Sequence, residues 1–197
     1  MKSAFCIFFL LTQLAANAQF KLGTFGVGAN ADMKYDRFEY DYIGNINLGL
    51  SASVFLSPKI EFGLGTSSTN IISNIKSIDS DNWGYATYLT YYFPVNSKTG
   101  FNNQILWSYS NRSKKDVFVF TNGVLENNLG FYMMLYKGLN INVKYSILSY
   151  KTSTYSSKSS DGNMNQNTQE FNLNLNPLYI LNAFQIGLSY YFNTTTP

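Results

Sequence analysis

The chain alternates apolar and polar residues with a period of two over most of its length. The clearest stretch runs from Asp41 to Leu56, where the even positions are mostly apolar and the odd positions are mostly Asn, Ser and Gly. This period is typical of a β-strand with one apolar and one polar face. The pattern stops at Ser57–Lys59, where Pro58 cannot continue a hydrogen-bonded ladder. No helix of any length is predicted beyond the N-terminal segment.

Similar segments recur along the chain and predict an all-β, eight-stranded antiparallel domain. The predicted strands are Lys21–Asn30, Asp41–Leu56, Ile60–Asn70, Trp83–Phe93, Phe101–Asn111, a sixth ending at Leu135, Asn140–Tyr150 and Phe171–Phe192. Val117–Val124 belongs either to the sixth strand or to the loop before it. Ten strands are the alternative, if Val117–Thr121 is a separate strand or if Pro177–Asn182 is a turn. The apolar parity changes near Asn182, which a β-bulge within one strand explains more economically.

The connections between these strands alternate in length. The short ones are Ser57–Lys59, Pro94–Gly100 and Lys137–Leu139, and the long polar ones are Ala31–Tyr40, Ile71–Asn82, Arg112–Asp116 and Thr152–Thr168. Short turns at one rim and long loops at the other are typical of an up-and-down transmembrane β-barrel. An even strand count places both termini on the short-turn side.

The N-terminal segment has the features of a secretory signal peptide. Lys2 is followed by an apolar region from Ala4 to Leu14 and by the small-residue cleavage site Ala16–Ala18. We therefore expect a signal peptide at residues 1–18 and a barrel domain at residues 19–197. The only cysteine, Cys6, lies in the signal peptide, so the expected mature chain has neither a disulfide nor a cysteine metal site.

Composition agrees with this pattern and argues against one class of partner. Charged residues are 13% of the chain and aromatic residues 17%. Charge is about half the usual share for a soluble domain, yet the apolar residues are dispersed at alternate positions. The net charge of +3 comes with no basic stripe, so no nucleic-acid partner is expected.

Alternation alone does not tell which face points outward, because a soluble lipocalin-like barrel has the same period with an apolar interior. Two observations favour an apolar exterior. Four charged residues inside the predicted strands share the parity of the polar face: Glu61, Glu126, Lys144 and Glu170. Aromatic residues gather near strand ends, as in an interfacial girdle: Trp83, Tyr91, Phe93, Phe101, Tyr109, Tyr190 and Phe192. We also predict that Lys144 lies near at least one of these acids inside a narrow lumen.

Three sequence features resemble the small outer membrane β-barrel proteins of the eight-stranded OmpX/OmpA-like kind. They are QFKLGTFGVGAN after the cleavage site, YYFP at Tyr91–Pro94, and the closing FNLNLN and FQIGLSYYF segments. The resemblance covers the mature sequence and implies an eight-stranded meander in the bacterial outer membrane, with no single shared activity. The aromatic last strand also resembles the signal read by the barrel-assembly machinery, although Asn193–Pro197 follow it here.

Candidate chemistry is sparse. The chain has no histidine, so nucleophilic sites that depend on a His base cannot be built. Four acids, Asp32, Asp36, Glu39 and Asp41, are interpreted as a solvated loop with interleaved Lys34 and Arg37.

Two further motifs are weak. Asp161, Asn163 and Asn165 have the opening spacing of a calcium loop, but the sixth-position Gly is missing and the twelfth position is Asn172, so a flexible polar loop is the preferred interpretation. Gly23, Gly26 and Gly28 are not followed by a predicted helix, so they indicate close side-chain packing rather than a dinucleotide site. No catalytic, cofactor or metal site is predicted.

The sequence thus favours a monomeric, non-enzymatic outer-membrane barrel that serves as a structural or interaction scaffold. Its expected partners are outer-membrane lipid, the barrel-assembly machinery and an extracellular protein or glycan at the loops, where Tyr35, Tyr40 and Tyr155 could make contact. The alternatives are a narrow channel or small-solute binding barrel and, less favoured, a soluble lipocalin-like binding barrel.

Overall fold

A computed structural model of the chain describes residues 20–38, 41–73, 81–114, 118–136, 138–159, 162–173 and 184–192, and nearly all of them are in β-strands. The strands are β1 (Phe25–Phe38), β2 (Asp41–Ser57), β3 (Ile60–Ser73), β4 (Asp81–Pro94), β5 (Thr99–Lys114), β6 (Phe118–Tyr136), β7 (Leu139–Ser159), β8 (Gly162–Leu173) and β9 (Phe184–Phe192). The described residues include no helix long and apolar enough to cross a membrane.

These strands close into an antiparallel barrel. Each strand from β1 to β6 pairs with the next, β6 pairs with β7, and β9 lies between β7 and β1. The β9–β1 ladder runs from Phe25 opposite Phe192 to Asp32 opposite Gln185. β8 pairs with the C-terminal part of β7, and β9 pairs with the N-terminal part of β7. The nine strands therefore occupy eight strand positions around the barrel. The predicted eight-stranded all-β barrel, closed by FQIGLSYYF against the first strand, is confirmed.

Several strands extend further than the sequence pattern predicted. β1 continues to Phe38, through most of the predicted loop Ala31–Tyr40. The predicted loop Thr152–Thr168 is wrong, because its described residues belong to the β7–β8 hairpin. Backbone pairing continues there although Ser, Thr, Asn and Gln occupy both faces, so the apolar alternation that marks a strand is missing. Val119–Val124 lies within β6, which excludes a separate strand in that region.

The eighth strand position of the barrel is occupied by β8 and β9, and not by the single bulged strand that the sequence predicted. Leu173 of β8 lies opposite Leu148, and Phe184 of β9 lies opposite Tyr145. The chain therefore advances eleven residues between these two pairs, while β7 advances three. A one-residue bulge cannot account for that difference. Asn182 and the alternative turn Pro177–Asn182 lie outside the described residues.

A bulge is present, but on the neighbouring strand. The β6–β7 ladder steps from Asn127 opposite Leu148 to Asn128 opposite Ser146, which leaves Ile147 without a partner on β6. This irregularity lies beside the interval between β8 and β9. In both of these neighbouring strand positions, the outward-facing residues therefore change from odd to even sequence numbers. Below it Val143 is on the outer face, and above it Tyr150 takes that face.

The apolar face of the sheet points outward, as predicted and opposite to a lipocalin-like barrel. Its large side chains are well exposed, among them Leu48, Leu50, Leu64, Phe101, Ile105, Trp107, Leu129, Phe131, Ile186 and Leu188. The aromatic residues near strand ends, including Trp83, Phe93 and Phe192, lie on the same outer face. The interior is consequently a lumen lined by the alternate, mostly polar residues.

Candidate functional site

The end of the lumen near the short connections is filled by a cluster of buried side chains, here called the aromatic plug. Its members come from the segment before β1 and from four strands: Phe20, Phe55, Tyr92, Tyr132, Met134 and Tyr191. None of them is more than 7% exposed. Rings from opposite walls meet at this level, so the plug closes the lumen at its short-connection end.

Phe20 lies at the centre of the plug. Its ring stacks on Phe55 with centroids 4.0 Å apart, and it meets Tyr92 at 5.2 Å and Tyr191 at 5.1 Å. A turn before β1 directs the chain inward, with Gly23 at a φ of 77° and its amide donating to the carbonyl of Phe55 at 2.8 Å. A left-handed φ of this kind suits glycine. The N-terminal segment thus supplies the residue that fills the middle of the barrel end.

A buried carboxylate ties the plug to the barrel wall. The Tyr92 hydroxyl donates to Oε2 of Glu61 at 2.7 Å, and the Tyr191 hydroxyl donates to Oε1 at 3.2 Å. The two hydroxyl oxygens are 3.0 Å apart. Glu61 is only 3% exposed, so these hydrogen bonds replace the water that its charge would otherwise need.

The predicted neighbour of Lys144 is Glu61. The two groups interact electrostatically, and the Lys144 ammonium lies over the ring of Tyr88, 5.6 Å from its centroid. Tyr88 itself sits over Gly63, where a Cβ atom would overlap its ring. The missing side chain at Gly63 therefore makes room for the aromatic surface on which the cation rests.

Above the plug the lumen opens into a polar cavity of about 570 Å³. Its lower boundary is formed by Glu61, Tyr92 and Tyr191, and it extends past Lys144 toward Asn82 and Phe120 near the long-connection end. The four charged residues predicted to face inward, Glu61, Glu126, Lys144 and Glu170, all line it. Asp32 and Lys151 add two more charges that the strand pattern had not selected.

Polar residues on neighbouring strands bond to one another across the cavity wall. Asn47 donates from Nδ2 to Oδ1 of Asp32 at 2.6 Å, and Thr69 donates to Oδ1 of Asn47. On the other side Gln104 donates to Oγ1 of Thr90 at 3.1 Å. These rows hold the lumen side chains in fixed positions, so the cavity has defined walls.

The weaker sequence candidates do not form a site in the described part of the chain. Of the four acids near the first loop, Asp32 lines the cavity, Asp36 and Asp41 are in β1 and β2, and Glu39 lies outside the described residues. Asn163 and Asn165 are in regular register opposite Lys158 and Ser156, so the loop interpretation is wrong there, and Asp161 is not described. No group of three His, Cys, Asp or Glu side chains suited to a metal ion occurs among the described residues.

The close-packing role of the early glycines is confirmed at Gly26. A Cβ atom there would lie 2.6 Å from the ring of Tyr191. The aromatic plug was not predicted from the sequence, although the doublets Tyr91-Tyr92 and Tyr190-Tyr191 indicate it. In a strand, consecutive residues point to opposite faces, so one ring of each doublet must point inward.

Comparison with protein-family models and with curated proteins finds no match. Among solved structures, the chain is similar to the outer membrane protein OprG from Pseudomonas aeruginosa, with 16% sequence identity and a TM-score of 0.54. That match covers 89% of this chain and 98% of the other. A major outer membrane protein from Thermus thermophilus matches with 11% identity and a TM-score of 0.35, covering 86% of this chain and 99% of the other. The OprG match supports the barrel fold.

Proposed function

We propose that this chain is a monomeric, non-enzymatic barrel of the bacterial outer membrane. It does not conduct solutes, and its long-loop end serves as a structural or interaction scaffold. The observation that carries the proposal is the combination of an apolar exterior with an interior that is closed at its short-connection end. Leu64 and Ile105 are 58% and 50% exposed on the outside, while Tyr132 and Phe55 are fully buried within the plug.

The apolar exterior supports a lipid environment. So much exposed apolar surface around a closed sheet is unfavourable in water and favourable against lipid chains. About ten residues of a tilted strand cross a bilayer, whereas β6 has 19 residues and β7 has 21. The outward residues of β8 change from Leu173 and Phe171 to Gln169, Asn167 and Asn165. The polar upper parts of these strands therefore extend beyond the proposed membrane and form the scaffold.

The plug supports the non-conducting alternative. An eight-stranded barrel is narrow enough for its own side chains to fill, and here rings separated by 4.0 to 5.2 Å around Phe20 occupy the short-connection end. The absence of histidine from the sequence supports a non-enzymatic role. Outer-membrane lipid and the barrel-assembly machinery are the proposed partners in the membrane, and a protein or glycan outside the cell is the proposed partner of the loops.

A narrow channel is the second candidate, because the cavity of about 570 Å³ reaches from the long-connection end down to Glu61. Conductance of the refolded mature chain in planar bilayers separates the two. We expect no steady openings from the wild type and reproducible openings from Phe20→Ala combined with Tyr191→Ala. Leu22→Ala with Tyr190→Ala is the matched control, since both residues are exposed. Steady openings of the wild type would establish the channel.

Membrane location is tested separately. Fractionation of cells should recover the protein with the outer membrane, and an unboiled sample should migrate differently from a boiled one, because a closed barrel resists unfolding by detergent. A mature chain that is soluble and monomeric without detergent contradicts the proposal.

A further inference from the structure

The charged residues are distributed unevenly between the two ends of the barrel. The long-connection end has seven Lys or Arg and seven Asp or Glu residues, in stretches 34–41, 71–82, 112–117 and 158–162. The short-connection end has four lysines and neither Asp nor Glu, in stretches 20–25, 56–60, 93–101 and 135–140. Glu61 follows the second of these stretches, but its side chain is buried and bonded to Tyr92 and Tyr191. One end of the barrel is therefore balanced in charge, and the other is basic.

Each short connection carries one of the four lysines. Lys59 lies between β2 and β3, Lys98 lies between β4 and β5, and Lys21 lies in the turn before β1. Lys137 is outside the described residues and belongs by sequence to the connection between β6 and β7. Successive connections are two strands apart around the barrel, which is about 10 Å along the wall. This spacing is close to the Debye length at physiological salt, so the fields of neighbouring lysines overlap.

Hydrogen bonds hold the backbone of these lysines against the barrel end. The carbonyl of Lys59 accepts from the amide of Tyr92 at 2.8 Å, and the carbonyl of Lys98 accepts from the amide of Met134 at 2.6 Å. Tyr92 and Met134 belong to the aromatic plug, so these two lysines lie at its level on the rim. Lys21 and Lys98 are exposed and Lys59 is partly exposed, so their ammonium groups can reach a ligand outside the barrel.

An exposed apolar side chain accompanies each lysine within three residues in the sequence. These side chains are Leu22, Leu56, Val95 and Tyr136. They lie where the apolar outer face of the barrel meets the basic rim. A water-soluble anion would use the lysines alone, whereas a lipid with a charged headgroup would use both features.

We infer that the short-connection end of the barrel binds anionic phospholipid. The phosphate groups lie against the four rim lysines, and the acyl chains lie against the adjacent apolar side chains. One lysine at an anionic surface raises the affinity about fivefold, whereas a zwitterionic headgroup has no net charge for it to attract. The inference rests on the proposed membrane location, under which this end lies at the leaflet that faces the periplasm.

Native mass spectrometry tests this inference on the mature barrel, refolded into vesicles of phosphatidylcholine and phosphatidylglycerol that have identical acyl chains. Detergent extraction leaves the tightly held lipids on the protein, and their masses identify them. We expect the wild type to retain phosphatidylglycerol with a preference of at least about fivefold, the effect of a single lysine. Added salt should reduce this preference, because screening weakens the attraction between exposed charges.

The rim variant replaces all four lysines and should retain the two lipids in proportion to their shares of the vesicle. Its substitutions are Lys21→Gln, Lys59→Gln, Lys98→Gln and Lys137→Gln. The matched control removes the same charge from the long-connection end and should keep the wild-type preference. Its substitutions are Lys34→Gln, Lys76→Gln, Lys114→Gln and Lys158→Gln. If the rim variant fails the heat-mobility test for folding, Lys98→Gln alone should lower the preference by up to about fivefold, and Lys114→Gln alone should not.

Several outcomes overturn the inference. Equal retention of the two lipids by the wild type, an unchanged preference in the rim variant, or an equal loss in the control would each do so. Displacement of the retained lipid by glycerol phosphate would exclude a role for the apolar side chains, and preferential retention of soluble peptidoglycan fragments would assign the rim to the cell wall instead. A chain that inserts into phosphatidylcholine vesicles but does not prefer phosphatidylglycerol contradicts this inference alone. A chain that inserts into neither kind of vesicle contradicts the proposed function as well.

Discussion

The hydroxyl of Tyr92 donates a 2.7 Å hydrogen bond to Oε2 of Glu61, joining β4 to β3 inside the barrel. Both residues are almost completely buried. A hydrogen bond to a buried carboxylate contributes more than one between neutral groups. This pair therefore connects the stability of the barrel directly to the closure of its lumen.

Tyr92→Phe keeps the ring in the plug and removes the hydroxyl. We expect the free energy of unfolding to fall by about 1.5–3 kcal/mol, because Glu61 loses a charged hydrogen bond. Urea unfolding in lipid vesicles, followed by tryptophan fluorescence, measures this change. Tyr91→Phe is the control on the outer face and should alter the free energy by less than about 0.5 kcal/mol. Equal effects of the two variants would contradict the role given to Glu61.

Phe20→Ala removes the central ring of the plug. The expected loss of unfolding free energy is about 3 kcal/mol, because a cavity is left among Phe55, Tyr92 and Tyr191. Leu22→Ala, at a residue that is 74% exposed, should change stability little. The same urea titration compares them. A stability for Phe20→Ala equal to that of the wild type would show that the N-terminal segment does not pack in the barrel end.

Leu64→Lys tests the direction of the apolar face. Leu64 is 58% exposed on the outer surface of β3, whereas Ser67, on the same strand, lines the lumen cavity. A lysine in the hydrocarbon region costs about 2–4 kcal/mol, so Leu64→Lys should reduce folding into vesicles and Ser67→Lys should have a much smaller effect. A larger penalty at Ser67 would mean that the faces are reversed.

The two strands of the eighth position should differ in amide hydrogen exchange. β9 is paired on both sides, with β7 and β1, while β8 is paired with β7 alone among the described strands. Outward-pointing amides on an unpaired edge lack ladder partners. We expect Ile186–Tyr190 to exchange much more slowly than Asn165–Gln169 in the refolded protein. Equal protection of both segments would indicate a further ladder on β8.

Much of the barrel could be predicted from the sequence, because a sheet with one apolar and one polar face imposes strict alternation on its strands. Leu48 and Leu50, or Ile186 and Leu188, show that pattern plainly. The prediction failed where no such constraint operates. Ser153–Ser156 continue a regular strand without any apolar alternation to reveal it.

The interior was harder to predict than the exterior. The inward parity of Glu61 and Lys144 could be read from one strand at a time, because each residue shares the parity of the polar face of its strand. The plug depends on contacts between residues as distant in sequence as Phe20 and Tyr191. Strand patterns do not tell which inward-facing residues lie at the same height in the barrel. Phe20 precedes every described strand, so no strand pattern includes it.

The ring is completed by the nine residues of β9, the last described strand of the chain. Until Phe184–Phe192 is in place, β1 and β7 both present open edges, and Tyr191 is missing from the hydrogen bonds around Glu61. Closure of the wall and sealing of the interior are thus one event, carried out by one segment. A chain that stops short of this segment has every other described strand yet remains an open sheet.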